Sequence, residues 1–439
     1  MAASPSLDRR QVLQFVVAAA LVPACGGGGG SGPADGDAGS DGGLDASAPS
    51  SSDGASPVDA APPVEPLDPS PLPVSTKFPI SLTSGDPGVD RIALASLWSG
   101  QGNLELRVWK DDGTVSGVAV VAQPVVLGEG GYVGVEVTGL EAATVYRWAL
   151  IELENGLPKA RSPLAVFRTA PASNTTPKLR FAAVSCTANV LDKTTLERAA
   201  AEGPYDAFLL LGDTTYNDGA KTLTEFRTKW RASLASSGWT SMRLQTAVIA
   251  TWDDHEIDND FNPETLDPQI FSNAKQTLFE HVPMRRTAPQ RIWRALSFGK
   301  TADVFVLDCR GERKPSTRGS ANPIYLSREQ MDWLKEGLKA STARFKLLMN
   351  SVPITDFPAL FDAAANDRWE GYVAQRTEIL VGPGAQVPNP LVLSARAPQF
   401  DWSSGSSNVT QLDLDPQAGT IRCVWRGVNG ILRDQTISL

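Results

Sequence analysis

Histidine is almost missing from this sequence. The 439 residues contain two, His255 and His281, so any site built on imidazoles has little to draw on. Cysteine is scarce as well: Cys25, Cys186, Cys309 and Cys423, with no Cys-x-x-Cys pair, which indicates neither a zinc knuckle nor a disulfide scaffold. Cys309 and Cys423 are the one pair left open for a bridge in an oxidising compartment. Excess positive charge is lacking too. The formal charge is −9 and no basic stripe carries interleaved aromatics, which argues against an extended nucleic-acid surface. Nor is there a long apolar run: the stretch from Phe15 to Val22 is too short to span a bilayer as a helix. What is present is enough apolar content, 42% of residues, for a substantial core, in a chain long enough for two or three domains.

The first 25 residues read as an export signal. Arg9-Arg10 precedes the apolar run in a twin-arginine pattern, and LVPAC, ending at Cys25, resembles a bacterial lipobox. Cys25 is therefore expected to carry a lipid anchor to a membrane of the cell envelope. Residues 26–77 are Gly, Ser, Ala, Asp and Pro with few large apolar side chains, a composition that cannot offset the entropy of ordering, and they are expected to form a flexible spacer.

Residues 78–172 read as an all-β domain. Short β-branched runs such as IALASLW, LELRVWK and VYRWALIEL are separated by Gly- and Asp-containing turns. Leu140, six residues before Tyr146, resembles the tyrosine corner of fibronectin-type sandwiches. Residues 178–439 alternate strand-like runs (AFLLLGD, FVLDCR, FKLLMNSVPI) with amphipathic ones (TLTEFRTKWRASLAS, SREQMDWLKEGLKAS), which predicts a layered α/β domain. Ser327 is the expected N-cap of the second helix, and the tail after residue 408 is expected to form an antiparallel pair or triplet.

The chemistry concentrates between Leu179 and Asp260. LRFAAVSC ends on Cys186, FLLLGDTTYND carries Asp213 and Tyr216, and AVIATWDDHEIDND carries Asp253, Asp254 and His255. Buried parallel strands read as continuous apolar runs, and α/β sheets present ligand-binding groups just past their carboxyl ends. Three such strands would bring a thiol, a carboxylate with a phenol, and an Asp-Asp-His cluster to one rim. Each residue alone has a plain alternative: Asp213 as a turn aspartate, Tyr216 as a half-buried tyrosine, Cys186 as core. Asp253 or Asp254 could cap a helix, with His255 solvated. Together they make a set of hard oxygen donors and one soft sulfur, suited to metal ions.

These motifs resemble the alkaline phosphatase D (PhoD-type) family of metallophosphoesterases. The resemblance extends to FPISLTSGDPGVDRIALASLW, RIWRALSFGKTADVFVLDCR, LSREQMDWLKEGL and DRWEGYVAQR, and so covers most of residues 78–402. It implies a metallophosphoesterase-type α/β domain, a mixed β-sandwich flanked by helices, preceded by a fibronectin-like all-β domain. It implies further an exported phosphatase or phosphodiesterase with a multi-metal centre, iron and calcium in the best-known type. Cys186 and Tyr216 would ligate a ferric ion, Asp213 would bridge, Asp254 would hold the second metal, and His255 would protonate the leaving group or steady the phosphate. Arg310 and Arg376 are candidates for phosphate contact or structural ion pairs. The expected partners are a phosphate ester and the membrane, with the protein a monomer.

One part of the pattern departs. The family's last metal motif is a strand followed by Gly-Asp-x-His, and here PLVLS runs into Ala395-Arg396-Ala397-Pro398-Gln399. Arg396 stands at the carboxylate position and Pro398 at the imidazole position, with Asp401 a substitute carboxylate if the loop is rearranged. The alternative to an enzyme is thus a lipid-tethered envelope protein that keeps the fold with an impaired site.

Overall fold

The computed structural model describes residues 65–111, 117–187, 193–285, 291–352, 354, 367–381, 390–394, 408–427 and 429–438. The signal, Cys25, most of the spacer, and Arg396, Pro398 and Asp401 lie outside them.

The first eight strands are β1 (Leu82–Gly85), β2 (Arg91–Leu97), β3 (Asn103–Lys110), β4 (Val121–Pro124), β5 (Tyr132–Thr138), β6 (Val145–Glu154), β7 (Leu157–Arg161) and β8 (Ala165–Arg168). β4, β3, β6 and β7 form one antiparallel sheet, with β8 paired to β6. Leu104, Leu106, Val108, Trp148 and Leu150 from this sheet pack against Leu82, Ile92, Leu94, Val133 and Val137 from β1, β2 and β5. The Tyr146 hydroxyl accepts a hydrogen bond from the Glu141 amide at 2.8 Å, the corner that its spacing from Leu140 predicts.

Two expectations need correcting. β1, β2 and β5 do not close a sheet of their own. β1 pairs in parallel with β11 (Val248–Thr251), Gly85 opposite Val248, so the three strands extend the large sheet of the α/β layers. Buried polar contacts reinforce the join: Arg294 makes a two-point ion pair with Asp86 at 2.6 Å, and Arg243 donates to Thr83 Oγ1 at 2.7 Å and to the Ile80 carbonyl at 2.6 Å. The spacer also ends sooner than residue 77. Leu67 and Leu72 pack beside Trp109 and Ile151, and Lys77 pairs with Glu152 at 2.8 Å.

Beyond residue 178 the layers are those the alternating pattern predicts. β9 (Leu179–Val184), β10 (Ala207–Leu211) and β11 run parallel and adjacent, and the tail, β16 (Asn408–Asp415), β17 (Thr420–Gly427) and β18 (Gly430–Ser438), adds an antiparallel triplet beside β9. A second sheet holds β12 (Arg294–Phe298), β13 (Ala302–Val306), β14 (Phe345–Asn350) and β15 (Pro390–Ser394). Side-chain alternation divides each apolar run between two cores. Phe181, Ala183, Leu209, Leu211 and Ile249 face Leu296, Val304, Val306, Leu347 and Met349 between the sheets. Ala182, Val184, Phe208, Leu210 and Val248 face the helices α1 (Lys193–Ala201), α2 (Leu223–Leu234), α3 (Ser237–Gln245) and α4 (Pro268–His281).

The outer face of the second sheet is covered by α5 (Arg328–Ala340), which presents Met331, Leu334 and Leu338 to Phe305 and Leu348; α6 (Val373–Val381) follows. Ser327 caps α5 by accepting from the Gln330 amide, and Thr222 with Glu225 forms a reciprocal capping box on α2. Cys423 sits in the inter-sheet core and Cys309 in the α5-side core, both with free thiols, so the bridge left open between them is not made. Among the described residues no helix is long and apolar enough to cross a membrane.

His281 has a structural role. It is buried between Trp230 and Tyr132; its Nδ1 lies 2.8 Å from the Thr277 carbonyl, to which it must donate, and Nε2 lies 3.0 Å from the Tyr132 hydroxyl. Burial, then the nearby charges of Arg231, Arg243 and Arg227, push its pKa down to about 3, partly opposed by the Thr277 hydrogen bond. An unfolded histidine binds a proton near pH 6.5 that the native state refuses. Stability is therefore expected to fall as pH drops from about 6.5 toward 3, by up to about 1.4 kcal/mol per pH unit from this group. Urea unfolding of wild type and His281→Gln between pH 7 and pH 5 checks this; equal slopes would refute it.

Candidate metal centre

The parallel order β9–β10–β11 sets three strand ends side by side. Cys186 follows β9, Asp213 follows β10, and Asp253, Asp254, His255 and Glu256 follow β11. The backbone turns sharply at the first two: Cys186 and Asp213 both have a φ of 54°, in the left-handed region that non-glycine residues seldom occupy. Gly212 has a φ of 99°, and a Cβ there would fall 2.6 Å from the Asp253 Cβ, so only glycine lets the two loops meet. Such backbone costs of order 1–3 kcal/mol per residue and persists where surrounding contacts over-determine it.

Glu256 supplies much of that determination. It is buried, and its carboxylate accepts from the amides of Asp213 at 3.0 Å, Thr214 at 2.5 Å and Asp253 at 2.8 Å. One side chain thus fixes both the β10 and the β11 turn. Burial and the charge of Asp213 raise its pKa to about 8 against the pull of those amides.

The structure brings all five sequence-predicted residues together. Cys186 Sγ lies 3.3 Å and the Tyr216 hydroxyl 3.4 Å from the same oxygen, Oδ2 of Asp213. One donor atom each of Asp213, Asp254 and His255 falls within a 4.8 Å group. Two ligands bonded to one transition-metal ion at roughly right angles lie about 3 Å apart, so the separations suit a shared ion. The chemistry fits as well: sulfur, phenol and carboxylate oxygens, and an imidazole. Asp253 is the exception in its motif, its carboxylate turned to Arg310.

His255 is held by a residue that the sequence reading passed over. Its Nδ1 lies 2.8 and 2.9 Å from the two oxygens of Asp218, which also accepts from the Asn259 amide at 2.7 Å. An ionised carboxylate only accepts, so Nδ1 carries the proton and Nε2 is left for the site. The ring lies 4.1 Å, centroid to centroid, from that of Tyr216. Burial would lower the His255 pKa, but the Asp218 hydrogen bond and the charges of Asp213 and Asp254 outweigh it and raise it to about 9.

Of the two arginines offered for phosphate contact or structural ion pairs, Arg310 makes ion pairs. Arg310, 3% exposed, donates to Asp253 and Asp367 and lies 3.3 Å from Asp254 Oδ1, while Arg376 Nε donates to the Ile354 carbonyl at 2.5 Å. Asp260 and Asp367 were also unforeseen. With Asp254 they form a second group of carboxylates within 4.8 Å.

Two sheets packed face to face between helices, with acidic and sulfur donors on the rim, make a layered α/β architecture. A solved purple acid phosphatase, PPD1 from yellow lupin seeds, shares it at a TM-score of 0.61 and 10% identity, over 82% of this chain and 73% of that one. The solved structure of PhoD matches at a TM-score of 0.69 and 19% identity, over 83% of this chain and 89% of that one. The PhoD-like phosphatase family model matches residues 181–400, and the chain belongs to that family. The alkaline phosphatase D of Bacillus subtilis strain 168 is 25% identical over 320 residues; the match takes in 62% of this chain and 54%, about half, of the length of that relative. Membership of the family implies metal ions.

Proposed function

We propose that the chain is an exported, metal-dependent phosphoesterase acting on phosphate monoesters or diesters. The observation that carries this reading is the Asp213 carboxylate, in contact with both Cys186 and Tyr216 and grouped with Asp254 and His255. Cys186, Asp213 and Tyr216 would hold one cation, with Asp213 shared toward Asp254. Bound cations supply Lewis acidity toward phosphate oxygens and lower the pKa of water. The chain's own side chains position the rest. The Cys186 and Asp213 turns fix donor directions, and Asp218 orients His255 so that Nε2 can give a proton to the departing alkoxide. The N-terminal strands, fibronectin-like in pattern, serve to position and shield. Residues 1–25 support export and an anchor through Cys25, with a monomer as the working unit.

The sequence after β15 favours a second reading. Residues 395–399, Ala-Arg-Ala-Pro-Gln, offer neither carboxylate nor imidazole, which supports an envelope protein with an impaired site. One assay separates the two. Purified protein is expected to hydrolyse p-nitrophenyl phosphate or its bis-ester, to lose that activity on exhaustive chelation, and to regain it on metal return. A well-folded protein inactive on both esters with every metal supplied would favour the second reading.

A further inference from the structure

Arg310 sits where a cation would be expected. It lies in the loop after β13, and its three contacts reach three carboxylates: Nε on Asp253, Nη1 on Asp367, and Nη2 at 3.3 Å from Asp254 Oδ1. Two of those, Asp254 and Asp367, belong with Asp260 to the second carboxylate group. Arg313, 2% exposed, adds a further positive charge on Asp367 and donates to the Phe261 carbonyl.

We propose that the Arg310 guanidinium is the built-in counter-cation of the Asp254–Asp260–Asp367 group and stands in place of an exchangeable divalent ion there. The inference rests on the metal reading above for the neighbouring Cys186–Asp213–Tyr216 site. Of the three carboxylates Asp254 is buried, Asp367 half-buried and Asp260 exposed; the buried Asp254 most needs positive charge, and a guanidinium supplies it permanently, with planar donors matched to carboxylates. Arginine keeps its charge at every accessible pH and cannot be chelated away. A divalent ion entering the same group would meet Arg310 at close range and would have to displace it. That group therefore takes up no calcium of its own. Arg310 is here a positioning residue, holding Asp254 beside Asp213 without touching substrate.

Isothermal titration of calcium chloride into as-purified wild type, Arg310→Lys and Arg310→Ala tests this. Wild type and Arg310→Lys are expected to show no stoichiometric calcium uptake. Arg310→Ala should gain one site, binding at least about tenfold more tightly than any residual wild-type binding, as ligand charge tunes calcium sites over decades. Stoichiometric uptake by wild type overturns the proposal, and needs no variant to be read. So does an Arg310→Ala isotherm identical to that of wild type in a protein with native circular dichroism. Transition-metal content measured in the same samples reports on the Cys186 site separately, so failure of that reading is seen apart from failure of this one.

Discussion

Asp213→Asn is expected to lower kcat for the proposed phosphate-ester hydrolysis by about 10³-fold, or about 4 kcal/mol in barrier, while the protein still folds. The size follows from position. Asp213 is fully buried, its Oδ2 is shared by Cys186 and Tyr216, and its carboxylate is also grouped with Asp254 and His255. Replacing it by a neutral amide removes the one negative charge common to both halves of the site. Asparagine is chosen because it tolerates a left-handed backbone nearly as well as aspartate, whereas alanine would add strain at a φ of 54°. A melting temperature within a few degrees of wild type, with kcat reduced and metal lost, is the expected pattern. Activity within tenfold of wild type would remove Asp213 from the centre.

Glu256→Gln is expected to have the next largest effect, a loss of about 10–100-fold in metal affinity and activity, the usual size when a residue supporting metal ligands is changed. Glu256 touches no substrate. It accepts three backbone amides, from Asp213, Thr214 and Asp253. Glutamine keeps the shape but turns an NH2 group toward donors, leaving at least one buried amide unsatisfied at about 1–3 kcal/mol. The Asp213 turn then relaxes toward ordinary φ and its carboxylate moves away from Cys186 and Tyr216. Metal titration separates this from simple destabilisation: raising the metal concentration should restore much of the activity of Glu256→Gln and none of that of Asp213→Asn. Unchanged metal affinity in Glu256→Gln would show that the turns hold without it.

The candidate metal-facing residues are legible because each follows an uninterrupted apolar run, the form that parallel strands buried on both faces take. LRFAAVSC, FLLLGD and AVIATWDD give the strand, its direction and the side chain at its end. Residues that support them were not, for a common reason: their partners are far away in sequence. Asp218 meets His255 across 37 positions, and Arg310, a candidate for an ion pair in the sequence but without visible partners there, meets both Asp253 and Asp367 across 57. In a single sequence each is one more charged loop residue. The join between the N-terminal strands and the large sheet was hidden differently. β1 reads LTSG, too short and polar for a buried strand, yet all four residues are buried because Trp148 donates to Ser84 Oγ and Arg243 to Thr83 Oγ1. Polar pairing across elements made a core strand of a segment that resembles a turn.

The most direct test is the metal content of protein purified from its native host, by mass spectrometry, with Asp213→Asn alongside. One tightly held transition metal per wild-type chain and none in the variant is the expected result, with hydrolysis of p-nitrophenyl phosphate following the metal. A wild-type chain that carries no metal and gains no activity when iron, zinc, manganese and calcium are each supplied would contradict it.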